Sequence, residues 1–369
     1  MLYLNTSFAD ATVYGVIDQA YNFTKSSGGT AGSGVQSSSK TNFASSQMGG
    51  SLLGFKGSEE LDNGLKASYL YEFGLATETS ATPSNRQSFV GLSGGFGAIR
   101  IGKQYSQAFN NSVAADPLGA TGAPGGIYLA ALVSDNGTES PLRQDKGIQY
   151  DLPSFVPGLG ITITKIFAGA NAAATNAGST TETNGIKTGD GLGFAINYKS
   201  GALYAGLTSD TVTNTGVIGP ANDDSIAAVR GTTAANSSPA YAGTNLTLIA
   251  ASTAAKKKTT TMTLTYDLGM AKVSYNTVKA SVGSDAASTT MFGLSVPLGA
   301  ATLLLTTATG KSDSTTDYKL KGLQYGANYA LSKRTTGYFH AGNHSLTPTA
   351  TPALVTKVQG YSLGLMHAF

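Results

Sequence analysis

The stretch Thr261-Met262-Thr263-Leu264-Thr265-Tyr266-Asp267-Leu268 alternates strictly, with Met262, Leu264, Tyr266 and Leu268 on one side of an extended chain and Thr261, Thr263, Thr265 and Asp267 on the other. Side chains of a β-strand point in turn to opposite faces, so this segment reads as a strand with one greasy and one wet face. The final residues repeat the pattern, Tyr361, Leu363, Leu365, His367 and Phe369 against Gly360, Ser362, Gly364 and Ala368. No stripe of helical period runs beyond about two turns.

Reading strands wherever such alternation holds gives sixteen segments: 10–24, 45–57, 64–74, 85–94, 97–106, 143–152, 160–168, 190–199, 201–209, 258–268, 270–279, 288–297, 300–309, 319–330, 333–341 and 358–369. Their connections alternate in length. Short ones (Ser58–Asn63, Gly95–Phe96, Pro153–Leu159, Ser200, Gly269, Leu298–Gly299, Leu331–Ser332) are separated by long ones such as Lys25–Ala44, Gln107–Leu142, Gly169–Gly189, Asp210–Lys257, Ala280–Ala287, Lys311–Tyr318 and Gly342–Val358. All tight turns therefore lie at one end of an antiparallel meander and all long loops at the other. A sheet this wide leaves two exposed edges unless it closes, and closure makes a barrel with room for water. Tilted strands of about 9 to 11 residues match the height of a membrane's apolar band. The greasy face is then outward and the hydroxyl-rich face inward, the inverse of a soluble barrel. The fold class is all-β, a 16-stranded antiparallel transmembrane β-barrel.

Composition agrees and excludes much else. Of 369 residues, 24 are Lys or Arg and 21 are Asp or Glu, so 12 % are charged, about half the share of an ordinary soluble domain. There are 47 glycines and no cysteine or tryptophan. Lack of cysteine excludes disulfide scaffolds, zinc knuckles and thiol catalysis. No apolar run reaches the roughly 18 residues of a membrane helix, and a net charge of +3 without a long basic tract gives no argument for nucleic acid. Met1 to Ala9 ends in a small-x-small triplet, Ser7-Phe8-Ala9, but has too short an apolar stretch for a full secretory signal. We expect residues 1–9 to be a leader remnant or an added segment, and 10–369 to be one domain.

Thr12–Asp18 (TVYGVID), Gly54–Leu61 (GFKGSEEL), Asn63–Ala67 (NGLKA), Asn85–Leu92 (NRQSFVGL), Gly94–Tyr105 (GGFGAIRIGKQY) and Tyr361–Phe369 resemble, in order along nearly the whole chain, the general porins of beta-proteobacteria, the Neisseria and Burkholderia type. The resemblance implies a homotrimeric outer-membrane protein of a Gram-negative bacterium, with short periplasmic turns, long extracellular loops and a third loop, here 107–142, folded inward as a constriction. It also implies that Phe369 is an assembly signal read by the outer-membrane insertion machinery. The implied partners are outer-membrane lipid, lipopolysaccharide, and small hydrophilic solutes and ions; no cofactor is implied.

In that family the constriction sets basic wall residues against an acidic loop. Arg86 and Arg143 match two of the family's arginines, whereas Leu52, in Gly50–Gly57 (GSLLGFKG), stands where a third is usual. Strand parity offers replacements: if Leu53 and Phe55 face outward, Lys56 faces the lumen, and the same argument turns Arg100, Lys66 and Glu72 inward. Lys103 has outward parity unless a bulge intervenes, and is then a candidate for subunit contact. Asp116, Asp135 and Glu139 are the acids of the loop. Opposed charges across a watery neck favour dipolar solutes, and the basic excess predicts a weak to moderate anion preference. A substrate-selective porin for a sugar or carboxylate is the alternative; a surface adhesin would need a fixed repeat, which is absent.

Other patterns read plainly in context. Gly91-Leu92-Ser93-Gly94-Gly95 fits a nucleophile elbow formally, but a strand follows rather than a helix, so it reads as a glycine-rich hairpin. His340 and His344 lack further ligands in the sequence for a metal, so neither a metal site nor a catalytic site is expected. Lys256–Lys258 reads as a solvated strand entry, the alternative being contact with lipid phosphates. Tyrosines near strand ends, including Tyr14, Tyr21, Tyr150, Tyr204 and Tyr266, read as interfacial girdles.

Overall fold

The computed structural model describes residues 11–30, 34–79, 81–119, 133–135, 143–167, 190–214, 218–220, 255–282, 285–313, 318–349, 352 and 355–369. Strand β1 (Thr12–Thr30) pairs with Gly34–Ser45 through Gln19–Thr30 and with Leu52–Glu60 through Thr12–Val16. These two segments, β2a and β2b, are halves of one barrel strand interrupted at 46–51. The meander continues through β3 (Lys66–Gly74), β4 (Ser84–Gly94), β5 (Gly97–Tyr105), β6 (Arg143–Asp151), β7 (Leu159–Ile166), β8 (Gly191–Ser200) and β9 (Leu203–Asn214). It ends with β10 (Ala255–Asp267), β11 (Lys272–Val282), β12 (Asp285–Leu298), β13 (Ala301–Asp313), β14 (Tyr318–Ala330), β15 (Thr335–Pro348) and β16 (Thr356–Ala368). Every strand is antiparallel to its neighbours, and β16 pairs back onto β1 from Val16↔Ala368 to Ser27↔Lys357. The sheet is a closed barrel of sixteen strands.

The alternation that identifies the strands also sets their faces. On β10, Met262, Leu264 and Tyr266 are exposed outward, while Thr261, Thr263 and Thr265 are buried inward. The Gly91–Gly95 stretch closes a hairpin, Gly94 pairing with Gly97.

Several strands run further than their alternation. Residues 25–44 read as a long loop, yet β1 continues to Thr30 and β2a begins at Gly34; β11 and β12 likewise continue to Val282 and from Asp285, and β15 to Pro348. The reason is physical: above the apolar band both faces meet polar surroundings, so alternation stops while the backbone ladder does not. Residues 1–9 lie outside the described residues.

Closure is fixed at the chain's end. The Phe369 N–H donates to the Gly15 carbonyl and the Gly15 N–H to the Phe369 carbonyl, both at 3.0 Å. The Phe369 ring lies against Gly15, where a Cβ would come within 2.3 Å of Cζ. Glycine, which has no Cβ, leaves this ring its seat. The interruption 46–51 is clasped from inside: the buried Asp18 carboxylate accepts the N–H groups of Met48 (2.6 Å) and Gly49 (2.9 Å) and the Tyr338 hydroxyl (2.5 Å). A buried carboxylate this well supplied with donors holds the break in place.

Deleting Phe369, or substituting Gly15→Val, is expected to cut the yield of heat-resistant assembled barrel several-fold while the assembled fraction keeps its single-channel conductance. Gel mobility of unheated samples checks this, and an unchanged yield contradicts it.

Candidate functional site: a charged neck in the barrel

Six neighbouring strands, β1 to β6, place a connected row of polar side chains on the inner wall. Lys56 on β2b lies over the Tyr14 ring, its Nζ 5.0 Å from the centroid, and the Tyr14 hydroxyl donates to Glu72 Oε1 at 2.7 Å. Glu72, on β3, accepts from Gln87 Nε2 at 2.9 Å and faces Arg86 Nε at 4.0 Å. Arg86 donates to the Tyr105 hydroxyl at 2.6 Å, and the Arg143 guanidinium lies 5.2 Å from the Tyr105 ring centroid. Three cations are thus braced against two tyrosines and one glutamate, the Glu72 side chain only 9 % exposed.

Bulges aim part of this row. Between β3 and β4 the register slips so that Glu72 pairs with Gln87 and Phe73 with Asn85, which makes Arg86 the extra residue. A second slip lies between Gly102 and Gln104 on β5. Bulges re-aim side chains that simple parity misplaces. Lys103 sits at this second bulge and bridges Asp145 at 3.0 Å, so its charge is answered within the chain.

The loop after β5 folds inward. Helix α1 (Gln107–Ala115) is capped by the Ser106 side chain, which accepts from the Phe109 N–H at 3.0 Å. The Phe109 ring stacks on Tyr105 at 4.6 Å between centroids, joining the helix to the basic row. Its other end docks on the opposite wall: Tyr204 donates to Asn111, Ser274 to the Ala115 carbonyl, Lys272 to the Ala114 carbonyl at 3.2 Å and Thr306 to Asp116 Oδ1 at 3.2 Å. Two wall glycines give it room. A Cβ on Gly206 would meet Asn111 Nδ2 at 2.6 Å, and one on Gly293 would meet Pro117 Cδ at 2.6 Å.

The remaining expected site residues are placed differently from the row. Arg100 faces the lumen but bridges Asp151 at 2.7 Å and donates to Gln149, so it contributes a dipole more than a net charge. Lys66 lies at the turn end of β3, bridged to Glu60 at 2.9 Å, away from the row because Glu72 and Lys66 occupy opposite ends of the strand. Asp116 is not presented across open water; it is buried, bonded to Thr306 and the Leu118 N–H, and serves docking. Asp135 lies in a three-residue strand, Val133–Asp135, paired with Ile218–Pro220, and Glu139 lies outside the described residues. Leu52 is half-buried, paired with Val16 and Gly74, and brings no charge.

Tyr14 and Tyr204 point into the bore rather than to a membrane girdle, since each bonds an inner-wall or helix group. The bracing roles of Tyr14, Tyr105 and Phe109 and the docking roles of Gly206 and Gly293 were missed by sequence reasoning; of the groups that brace the cations, Glu72 alone was marked by its inward parity. His340 bonds Asn328 Oδ1 at 2.8 Å on the inner wall, and among the described residues no three His, Cys, Asp or Glu side chains gather as a metal set.

Comparison with known proteins places this geometry. Residues 5–347 match the family described as Gram-negative porin. The major outer membrane protein P.IB of Neisseria gonorrhoeae is 31 % identical over 215 residues, 54 % of this chain and 52 % of that protein. P.IB of Neisseria meningitidis serogroup B is 40 % identical over 98 residues, 26 % of this chain and 29 % of that protein. The chain spans about half the length, or less, of these relatives. In fold it is similar to the anion-selective porin from Comamonas acidovorans, with a TM-score of 0.73, 21 % identity, and 98 % and 100 % of the two chains covered. OmpT of Vibrio cholerae in its trimer form gives 0.62 at 14 % identity, covering 97 % of this chain and 99 % of that one.

Overpacking at a filled site costs about 1–3 kcal/mol, enough to loosen the helix's hold on the wall. Gly206→Val combined with Gly293→Val is therefore expected to raise single-channel conductance, while Gly95→Ala, in open space, leaves it unchanged. Equal conductance in all three proteins contradicts the docking.

Proposed function

We propose that this chain, which belongs to the Gram-negative porin family and is an outer-membrane β-barrel, forms a water-filled channel for passive diffusion of small hydrophilic solutes and ions, with a weak to moderate preference for anions. The observation that carries the preference is the row of Lys56, Arg86 and Arg143 against the single carboxylate of Glu72. Arg100 adds little, being bridged to Asp151. Where the bore is narrowed by 107–119, the proposed constriction of the third loop, a permeating ion passes close to this wall. Unit charges about 4 Å apart interact by about 1 kcal/mol in bulk water and by more beside a low-dielectric wall. That is enough to set the sign of selectivity without trapping the ion. The anion selectivity in the description of the Comamonas neighbour agrees in sign.

The family and fold are those of channels and not of enzymes. We propose a homotrimer, as the Vibrio neighbour is described in a trimer form, and Phe369 as the residue read by the insertion machinery. Lipopolysaccharide and other outer-membrane lipids are the proposed surroundings of the exposed apolar band.

Substituting Arg86→Gln together with Arg143→Gln is expected to lower the anion-to-cation permeability ratio by about fivefold or more, taking about 1 kcal/mol as the loss. Glu72→Gln is expected to raise the ratio. Reversal potentials across a salt gradient in a planar bilayer measure both, and unchanged values in the double variant remove both arginines from the constriction.

A further inference from the structure

Outward-facing residues on five of the seven strands β10–β16 follow one order along the strand. On β10 it is Tyr266, Leu264, Met262, Thr260, Lys258; on β11 Val273, Tyr275, Thr277, Lys279; on β13 Leu303, Leu305, Thr307, Thr309, Lys311. On β14 it is Tyr325, Leu323, Lys321, Lys319, and on β16 Leu365, Leu363, Tyr361, Gln359, Lys357. The apolar band thus gives way to hydroxyl or amide groups on four of these strands and then, on all five, to lysine, always at the end remote from the tight turns. These lysines are all exposed.

The lysines are also in register across the ladder. Lys279 pairs with Ser288, Ser288 with Lys311, and Lys311 directly with Lys319. Lys321 pairs with Ser345, and Ser345 with Lys357. Like charges directly opposite on one face of a sheet repel. None of these lysines has a carboxylate within ion-pair distance among the described residues. Two cations on the other half of the barrel are answered by contrast: Lys165 bridges Asp190 at 2.6 Å and Lys103 bridges Asp145. A one-sided, unanswered row of cations at the rim of an apolar band calls for anions supplied from the membrane.

We propose that the outer face of β10–β16, at its long-loop end, is a binding surface for an outer-leaflet lipid whose headgroup carries more than one phosphate, held by Lys279, Lys311, Lys319 and Lys321. Neighbouring strands lie about 4.8 Å apart, so Lys279 and Lys311 stand about 10 Å apart with Ser288 between them, and Lys311 and Lys319 about 5 Å apart. One spacing lets two ammonium groups share a phosphate, and the other reaches a second phosphate on the same headgroup. Lysine stems lie along the apolar surface while their charged ends rise to headgroup level. The acyl chains would cover Leu305, Leu323 and Tyr325 below, which are exposed. The proposal rests on the outer-membrane placement of the barrel but not on its anion preference.

The test uses the purified full-length protein and two probes, a saccharolipid carrying two phosphates and the same lipid stripped of both. Each lysine near an anionic membrane surface adds about a fivefold factor, so the wild type is expected to hold the phosphorylated probe at least about tenfold more tightly. K279Q/K311Q/K319Q/K321Q is expected to lose that preference while keeping its single-channel conductance, and K165Q to keep it. A preference retained by the fourfold variant, or lost equally in K165Q, overturns the proposal. Should the variant fail to assemble, wild-type protein in about 1 M salt decides: screening should abolish the preference, and its persistence overturns the proposal. Displacement of the lipid by millimolar inorganic phosphate also overturns it, by assigning the row to a free anion. A conducting protein with no lipid preference leaves the channel reading standing and removes only the lipid site.

Discussion

A backbone N–H or C=O group in hydrocarbon has no water to turn to, and each one left unpaired costs several kcal/mol. This constraint governs the molecule. It forbids a free sheet edge, so β16 must return to β1, and the mutual bonds of Gly15 and Phe369 complete that seam. Once the ladder is closed, the outer face is left to apolar side chains and the inner face is free to be polar. Glycine recurs where another group approaches the wall closely, under the Phe369 ring and beneath the inward helix.

The neck depends on closure at one remove. An inward helix holds its position only if the wall opposite is rigid and shaped for it, and here that wall supplies two glycines and a line of hydroxyl and amide donors. The cations are held in turn by aromatic faces and by Glu72 rather than left to wander in water. A braced charge keeps its field at a fixed place in the bore, and the proposed selectivity rests on that. Glu72 both steadies Arg86 and reduces the field it helps to orient.

Most of the fold was legible in residues such as Met262, Leu264 and Tyr266, because a half-lipid, half-lumen strand has no alternative to strict alternation. The signal failed at 25–44, where the ladder rises above the membrane and pairing continues without alternation. The site was legible in part. Parity placed Lys56 and Arg100 inward, and the resemblance pointed to Arg86 and Arg143. Bulges at Arg86 and Gly102 escaped parity, since a single inserted residue leaves no mark in composition. The burial of Asp116 against Thr306, the bridging of Lys66 to Glu60 and the inward turn of Tyr14 depend on which strand faces which across the bore. That long-range fact is written only in the closed structure.

The central claim is that a braced, net basic row sets the sign of the field in the neck. Reversal potential of the wild-type channel in a planar bilayer under a potassium chloride gradient tests it most directly. The account predicts a potential of anion-favouring sign, with conductance entering in units of three. A cation-favouring sign from the same stepwise insertions would contradict it, and would mean that loop acids outweigh Lys56, Arg86 and Arg143.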